Sequence, residues 1–524
     1  MGMTNAKLIK EIEINPEFER AISLMADSDK SLFVTGKAGT GKSTLLDHFC
    51  SNTDKKPVVL APTGVAALNV KGQTIHSFFN FYVDVTPEKI QKRKTKPRNA
   101  KLYKKLRTVI IDEVSMVRAD LLDCIDVFLR MYGPDIKKPF GGVQMIFVGD
   151  LYQLPPVVAG DEGKIFSTHY ETPYFFSAHA IQQLNLEVIE LEKVYRQKDE
   201  EFVGLLNRIR NNSVEAKDIE HLNSRFDDAA MIKDGEFYIT LTTTNKKADE
   251  VNDEHLQALK GKIYRSAAHI SGDFGKEYFP TATDLQFKIG AQIMLLNNDT
   301  KKRWVNGSIG VIEAIKKDED GDEYISVRLN ESDRLVCVEP FAWEVFHFSF
   351  DGEQIVSEPV GTFTQYPFRL AWAITIHKSQ GKTFDRVIID IGKGTFVSGQ
   401  MYVALSRCTS FEGIILKTPI KASSIRTDFR IFKFLTSYQY NKAAKELSHD
   451  DKVALIEKAI HEKFNLNMTY LKANDTKSTR VIKPLTVGTE DYQGKKFPGM
   501  KAFCTNRKEE RMFHVGRILK LERA

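Results

Sequence analysis

Short apolar runs that stop at glycine or at an acid recur along the chain, and their lengths predict strands rather than helices. SLFVTG (31–36) leads into a glycine-rich turn and then KSTLLDHFC, which predicts a buried strand, a turn and a helix. TVII (108–111) ends at two acids, VQMIFV (143–148) ends at Gly149-Asp150, and Val387, Ile388 and Ile389 form the core of a strand fed by HKSQGKTFDR. From 301 to 361 the pattern changes to short alternating strands, with Asn306-Gly307 and Asp320-Gly321 as hairpin turns, so a small β unit is inserted there. Beyond a polar connecting helix in SYQYNKAAKELSHDDK, VALIEKAIHEKFNLNMTYLK predicts a short amphipathic helix and a strand. The remainder alternates around Pro484, Gly488 and Gly499 in the manner of a compact barrel. With 524 residues, 42% of them hydrophobic, the chain has room for three to five domains with cores of their own.

The glycine-rich turn brings the first chemistry. Gly36, Gly41, Lys42 and Ser43 satisfy G-x-x-x-x-G-K-[ST]. Gly36, Gly39 and Gly41 let the backbone curl so that N–H groups from Ala38 through Thr40 to Thr44 face inward, and the helix dipole starts where phosphates would sit. Lys42 is then placed to reach the β and γ phosphates, and the Ser43 hydroxyl to ligate Mg²⁺. Asp112, closing its strand, is placed to hold Mg²⁺ through water, and Glu113 to orient or deprotonate the attacking water; taken alone, such a pair is a solvated strand edge. Gln153, in a loop stiffened by Pro155 and Pro156, either senses the γ phosphate or belongs to an inert turn.

Seven blocks follow one another in order between 36 and 408: GKAGTGKST, APTGVAALNVKGQTIHSF, VIIDEVSM, FVGDLYQLPPV, LEKVYRQKDEEFVGLLNRIR, LAWAITIHKSQGKTFDRVII and MYVALSRC. With them the chain resembles the Pif-type DNA helicases, RecD-related enzymes of superfamily 1 subclass B. The resemblance implies an α/β fold of two RecA-like P-loop NTPase lobes with small inserted subdomains. Lobe 1A would cover 1–65 and 106–188, a wedge 66–105, lobe 2A 189–300 and 362–440, and an SH3-like insertion 301–361. It also implies ATP and Mg²⁺ as cofactors, and catalytic arginines at Arg407 and Arg196, whose charge on the departing γ phosphate is worth roughly 10³ to 10⁵ in rate. Gln380 and Gly381 would lie near the nucleotide, with Thr375, His377 and Ser379 facing nucleic acid. The implied activity is that of an ATP-hydrolysing monomer that moves 5′ to 3′ on single-stranded DNA and opens duplexes at single-strand/double-strand junctions. Its setting would be DNA repair, replication or recombination in the bacterial cytoplasm, near the nucleoid. One position departs: INPEFERA has Phe18 where the family often has a glutamine that reads adenine.

A translocase grips its strand with both lobes. Thr63 and Gly64, then His76 and Ser77, offer short hydroxyls and backbone donors that fit phosphate oxygens without reading sequence. Phe78, Phe79 and Phe81 either stack on bases, act as a wedge, or pack as core. Residues 91–107 contain nine Lys or Arg and no acid, which makes either a solvated face or a duplex-contacting surface.

Charge singles out the tail. The chain's formal net charge is +6, yet residues 451–524 carry 16 basic and 9 acidic side chains, leaving 59 and 60 on the other 450. IEKAIHEKFNLNMTY, RVIKP and AFCTNRKEERMFHVGRI give 450–524 a resemblance to a WYL domain, a mostly bacterial regulatory module with an SH3-like core. The triplet that names that family falls on Pro498, Gly499 and Met500, while Arg507, Arg511, Phe513 and Arg517 stay in place. Basic residues with aromatic neighbours suit single-stranded DNA. The competing reading is a small ligand or regulator sensed by the tail, with the ATPase lobes as a ligand-gated switch or as a transcriptional or DNA-damage regulator. Five scattered cysteines without a C-x-x-C pair favour a reducing compartment. Lys316 at the first ligand position excludes an EF-hand in the acidic turn. No apolar run approaches the ~18 residues of a membrane span, and the N-terminus lacks the apolar core of a signal peptide.

Overall fold

The computed structural model describes residues 14–524 save 83, 94, 159–165, 167, 198, 229–236, 318–322, 331, 352, 393, 493 and 494. The Asp320-Gly321 turn lies outside them. The chain forms two compact units, Met1–Leu206 with Glu215–Arg426, and Asn207–Val214 with Thr427–Ala524.

The first unit contains two parallel sheets. Strands β1 (Leu32–Gly36), β2 (Val58–Ala61), β3 (Gln73–Thr74), β4 (Thr108–Ile111), β5 (Gln144–Val148) and β6 (Glu187–Leu191) run in the order β3-β2-β4-β5-β1-β6. Every pairing is parallel. β1, β2, β4 and β5 are buried along their whole length, which is why they appear in the sequence as unbroken apolar runs. Helix α1 (Pro16–Asp27) starts where the Asn15 side chain accepts the Phe18 N–H and Pro16 fixes the first turn. It packs Phe18, Ala21 and Met25 with Leu45, Leu46 and Phe49 of α2 (Lys42–Asn52) onto the sheet. A second parallel sheet runs in the order Ala373–Thr375, Ile239–Thr242, Val387–Asp390, Ile414–Leu416.

The β insertion is wider than 301–361. Gln292–Leu295 and Phe368–Leu370 join the antiparallel sheet of Ile309–Lys317, Glu323–Leu329 and Leu335–Val338, because Ile293, Leu295 and Phe368 complete the core of Ile312, Ile325, Val327 and Val338. The hairpin Phe341–Phe350/Ile355–Gln365 pairs instead with His269–Gly272.

In the stretch read as a wedge, Phe78, Phe79 and Phe81 are only 4, 0 and 7% exposed. Phe79 stacks on Phe81 (5.3 Å between centroids) and meets Phe128 edge-on (5.3 Å), and Tyr103 lies 4.7 Å from Phe128. The reading of Phe78 as a base-stacking residue is therefore corrected: Phe79, Tyr103 and Phe348 meet its ring edge to face, and it belongs to the core. The basic run stays on the surface, with Lys92, Lys96, Arg98, Lys101, Lys104, Lys105 and Arg107 exposed.

The second unit reaches further upstream than the boundary near 440. Helix Phe429–Glu446 belongs to it, with the Tyr440 hydroxyl donating to the Leu471 carbonyl (2.9 Å). Helix His449–Glu462, capped by Ser448, buries Ile456 and Ala459 against Leu466, Met468, Ile482, Met500, Phe513 and Ile518. Its five strands are antiparallel, in the order Glu509–His514, Lys495–Cys504, Lys477–Tyr492, Leu466–Leu471, Ile518–Arg523. Among the described residues the two end strands do not pair, so the expected barrel is an open sheet here. Arg210, from the short upstream segment, lies 4.0 Å from Asp475, and both side chains are almost wholly buried.

Phe79→Ala is expected to destabilise the first unit by about 3–5 kcal/mol, read as a lower denaturation midpoint.

Candidate active site

The glycine loop forms because its backbone enters the left-handed region at Gly39 (φ +81°) and Gly41 (φ +85°), which a side chain resists. Lys42, first residue of α2, folds back so that Nζ donates to the carbonyls of Gly36 (2.8 Å) and Lys37 (3.0 Å). A cavity of about 770 Å³ opens over the loop. It is lined by Ala38 through Thr44 and by Asp112, Glu113 and Gln153 from the carboxyl edge of the first sheet. Arg196, Gly381 and Arg407 close it from the other side, so the structure brings together nearly all the nucleotide-site residues read from the sequence. Gly36 contributes its carbonyl to Lys42, and Gln380 joins through hydrogen bonds: its Nε2 donates to Glu113 Oε2 (3.0 Å) and Gln153 Oε1 (3.1 Å).

Burial sets the electrostatics. It pushes the Glu113 carboxyl up to about 7, with the Asp112 charge adding to the effect. It raises Asp112 as well. Arg407 is 1% exposed. Its Nε donates to the Val403 carbonyl (2.8 Å), its Nη2 to the Ser406 hydroxyl (2.9 Å), and its Nη1 to the carbonyls of Ser379 and Lys382 (3.4 Å each). Burial, and then the nearby Arg196 charge, push it down to about 9. Arg196 Nη1 donates to the Ser406 carbonyl (3.1 Å), and burial lowers its pKa too. Among the described residues neither arginine has a salt bridge, and a buried and a half-buried cation facing a phosphate loop favour an anionic ligand. Ser43 and Asp112 supply hard oxygen donors, and no group of three or more His, Cys, Asp or Glu suited to a metal occurs among the described residues. That set fits Mg²⁺, which takes one or two protein oxygens and completes its shell with phosphate and water.

The proposed strand contacts divide. Thr63 is exposed and His76 partly so, burial lowering the His76 pKa. Ser77 Oγ accepts from Gln73 Nε2 (2.8 Å) and lies 3.4 Å from His347 Nε2. Gly64 is buried against Glu277, whose carbonyl would stand 2.2 Å from an added Cβ. Thr375 and Ser379 are buried as well. Thr375 Oγ1 accepts the Lys378 N–H (3.2 Å), and Ser379 Oγ donates to the Ile376 carbonyl (2.7 Å). Gly64, Thr375 and Ser379 are thus corrected from strand-facing groups to packing and turn-forming ones, since small hydroxyls in a tight turn satisfy their own backbone. His377 alone of its trio is exposed. In the tail, Arg511 is paired with Glu509 (2.5 Å). Arg507 sits in the turn before strand Glu509–His514 and Arg517 in the short helix Val515–Arg517 beyond it, at opposite ends of that strand.

Sequence reasoning missed Tyr402. Its hydroxyl accepts the Ala38 N–H (3.0 Å), tying Gln400–Leu405 to the phosphate loop, yet in MYVALSRC a tyrosine among apolar residues reads as core, and it is 4% exposed. Tyr195, Thr383 and Phe18 also line the cavity, the Phe18 ring lying against Gly41.

Two parallel-sheet lobes, a glycine loop, an Asp-Glu strand end and facing arginines define a two-lobed P-loop NTPase. The family profile "PIF1-like helicase" matches residues 15–220, and that of the WYL domain matches 451–523. The chain is 32% identical over 467 residues to ATP-dependent DNA helicase PIF1 of Mus musculus, an alignment covering 87% of this chain but only 66% of the mouse protein. It is 32% identical over 401 residues to ATP-dependent DNA helicase Pif1 of Campylobacter jejuni, covering 72% of this chain and 87% of that relative. The crystal structure of Bacteroides sp Pif1 in complex with ADP-AlF4 superposes with a TM-score of 0.74 at 35% identity, over 81% of this chain and 97% of that one. Bacteroides Pif1 bound to ssDNA gives 0.59 at 35% identity, over 82% and 98%. The chain belongs to the PIF1-like helicase family and carries a WYL domain. It spans just under two thirds of the mouse relative's length.

An alanine Cβ at Gly39 would stand 2.5 Å from Arg196 Cβ at a positive φ. Gly39→Ala is expected to weaken binding of a fluorescent adenine nucleotide by about tenfold or more, the scale of one left-handed residue.

Proposed function

We propose that the chain is an ATP- and Mg²⁺-dependent DNA helicase that moves 5′ to 3′ on single strands and opens duplexes at junctions. The observation that carries this reading is Arg407, a buried cation without a salt bridge among the described residues, in one cavity with Lys42 and Glu113. Support comes from relatives named ATP-dependent DNA helicases and from Bacteroides Pif1 structures with ADP-AlF4 and with ssDNA.

Lys42 leaves its loop carbonyls for the phosphates, and Glu113 takes the proton of the attacking water. Arg407 and Arg196 balance the charge that develops on the γ phosphate. Ser43 and Asp112 would hold Mg²⁺, which would supply further neutralisation of the phosphate oxygens. Arg507 and Arg517 of the tail hold single-stranded DNA. All five cysteines are unpaired, which suits the reducing bacterial cytoplasm.

Hydrolysis is expected to accelerate when single-stranded DNA is added, and unwinding of a 5′-tailed duplex to vanish in Lys42→Ala; an ATPase rate indifferent to DNA would refute the motor. Arg407→Ala should lower kcat by roughly 10³ to 10⁵ with little change in nucleotide affinity, measured by single-turnover hydrolysis and equilibrium titration. Because Glu509 already pairs with Arg511, replacing Arg507 and Arg517 together should flatten the salt dependence of strand binding by about 1.4 units, at ~0.7 per phosphate contact. An unchanged slope would hand the tail to a small ligand.

A further inference from the structure

Gln380 holds two parts of the hydrolytic site at once. Its amide nitrogen has two hydrogens, and they go to Glu113 Oε2 (3.0 Å) and to Gln153 Oε1 (3.1 Å). Those partners stand just past β4 and β5, whereas Gln380 lies just past strand Ala373–Thr375 of the other sheet. The amide thus occupies one acceptor site of the Glu113 carboxylate and fixes its orientation toward Gln153.

The turn bearing Gln380 is internally braced. The Ser379 N–H donates to the Thr375 carbonyl (3.0 Å) and the Gln380 N–H to the His377 carbonyl (3.2 Å). The Lys378 N–H and the Ser379 hydroxyl add two more bonds within it. Exposed His377 and Lys378 are therefore carried by the same small body as Gln380. Gly381 follows at φ +77°, with no atom within 4 Å of where a Cβ would stand, and across it the Lys382 N–H donates to the Ser379 carbonyl (3.0 Å), which also accepts from Arg407 Nη1 (3.4 Å), so the turn moves together with its hold on Arg407.

We propose that Gln380 is a latch. In the strand-free protein it pins Glu113 and Gln153, and a single strand engaging the turn at His377 and Lys378 draws it away. Glu113 then accepts the water's proton while the water oxygen bonds to the γ phosphorus. The bond from that phosphorus to the bridging oxygen breaks, and ADP and phosphate leave. Gln380 is a positioning residue in this scheme, which rests on the ATPase reading of the cavity.

The test is steady-state ATP hydrolysis by the full chain, with and without oligo-dT, for the wild type and Gln380→Ala. The latch predicts a strand-free kcat about tenfold higher in the variant, the factor commanded by one charge-assisted hydrogen bond, with KM for ATP within twofold and a correspondingly smaller stimulation by oligo-dT. Gln380→Met, equal in length but without the amide, must reproduce the rise if the alanine variant misfolds. A fall in kcat both with and without strand makes Gln380 part of the chemistry and overturns the latch, as do unchanged rates. A wild type inert under both conditions is a separate failure, visible before any variant is made, and it removes the ATPase reading together with the latch.

Discussion

The two arginines of the nucleotide cavity rest on neutral dipoles. Arg196 lies on the Ser406 carbonyl, and Arg407 on three carbonyls and a hydroxyl. Carbonyl oxygens lower the cost of burying a cation without cancelling its charge, so the site keeps a standing electrostatic deficit that a polyanion relieves. A salt-bridged version would be more comfortable when empty and less responsive when filled, since each ion pair would have to be broken on entry. The rest of the architecture serves this arrangement: parallel strands bring loop and acids to one edge, Arg196 follows β6 of the same sheet, and Arg407 comes from between two strands of the second.

Much of this was legible in the sequence because the phosphate loop is local chemistry. Glycines, lysine and serine at fixed spacing dictate a backbone path without help from distant residues, and Asp112 and Glu113 inherit their position from the strand they end. What required tertiary contacts was harder to read. Phe78, Phe79 and Phe81 have the same composition whether they stack on bases or fill a core, and distant rings, Phe128 for Phe79 and Phe81 and Phe348 for Phe78, decide for the core. The hydroxyls of Thr375 and Ser379 suit phosphate on paper, but the turn uses them first. Strands Gln292–Leu295 and Phe368–Leu370 flank the β insertion at a distance, and their place in its sheet follows from pairing that no local pattern announces.

The tail shows how little a charge count says about geometry. Its excess of positive charge is real, yet Lys501, Arg511 and Lys520 each sit beside a glutamate on the surface. Exposed pairs of this kind add little stability, and each glutamate offsets the charge of the cation beside it. Arg507 and Arg517 stand at opposite ends of strand Glu509–His514, so positive charge is spread along it instead of being gathered at a point, a distribution that suits an extended ligand better than a compact one.

The second unit is assembled from segments far apart in the chain, and this has a consequence for biosynthesis. Asn207–Val214 leaves the ribosome more than two hundred residues before Thr427, a wait of roughly 10–40 s at bacterial or eukaryotic elongation rates. During that interval Arg210 is without Asp475, the carboxylate that lies beside it in the finished protein. The nascent chain therefore passes through a stage in which a future core cation stands in water, and the unit reaches its final form only when its distant half arrives.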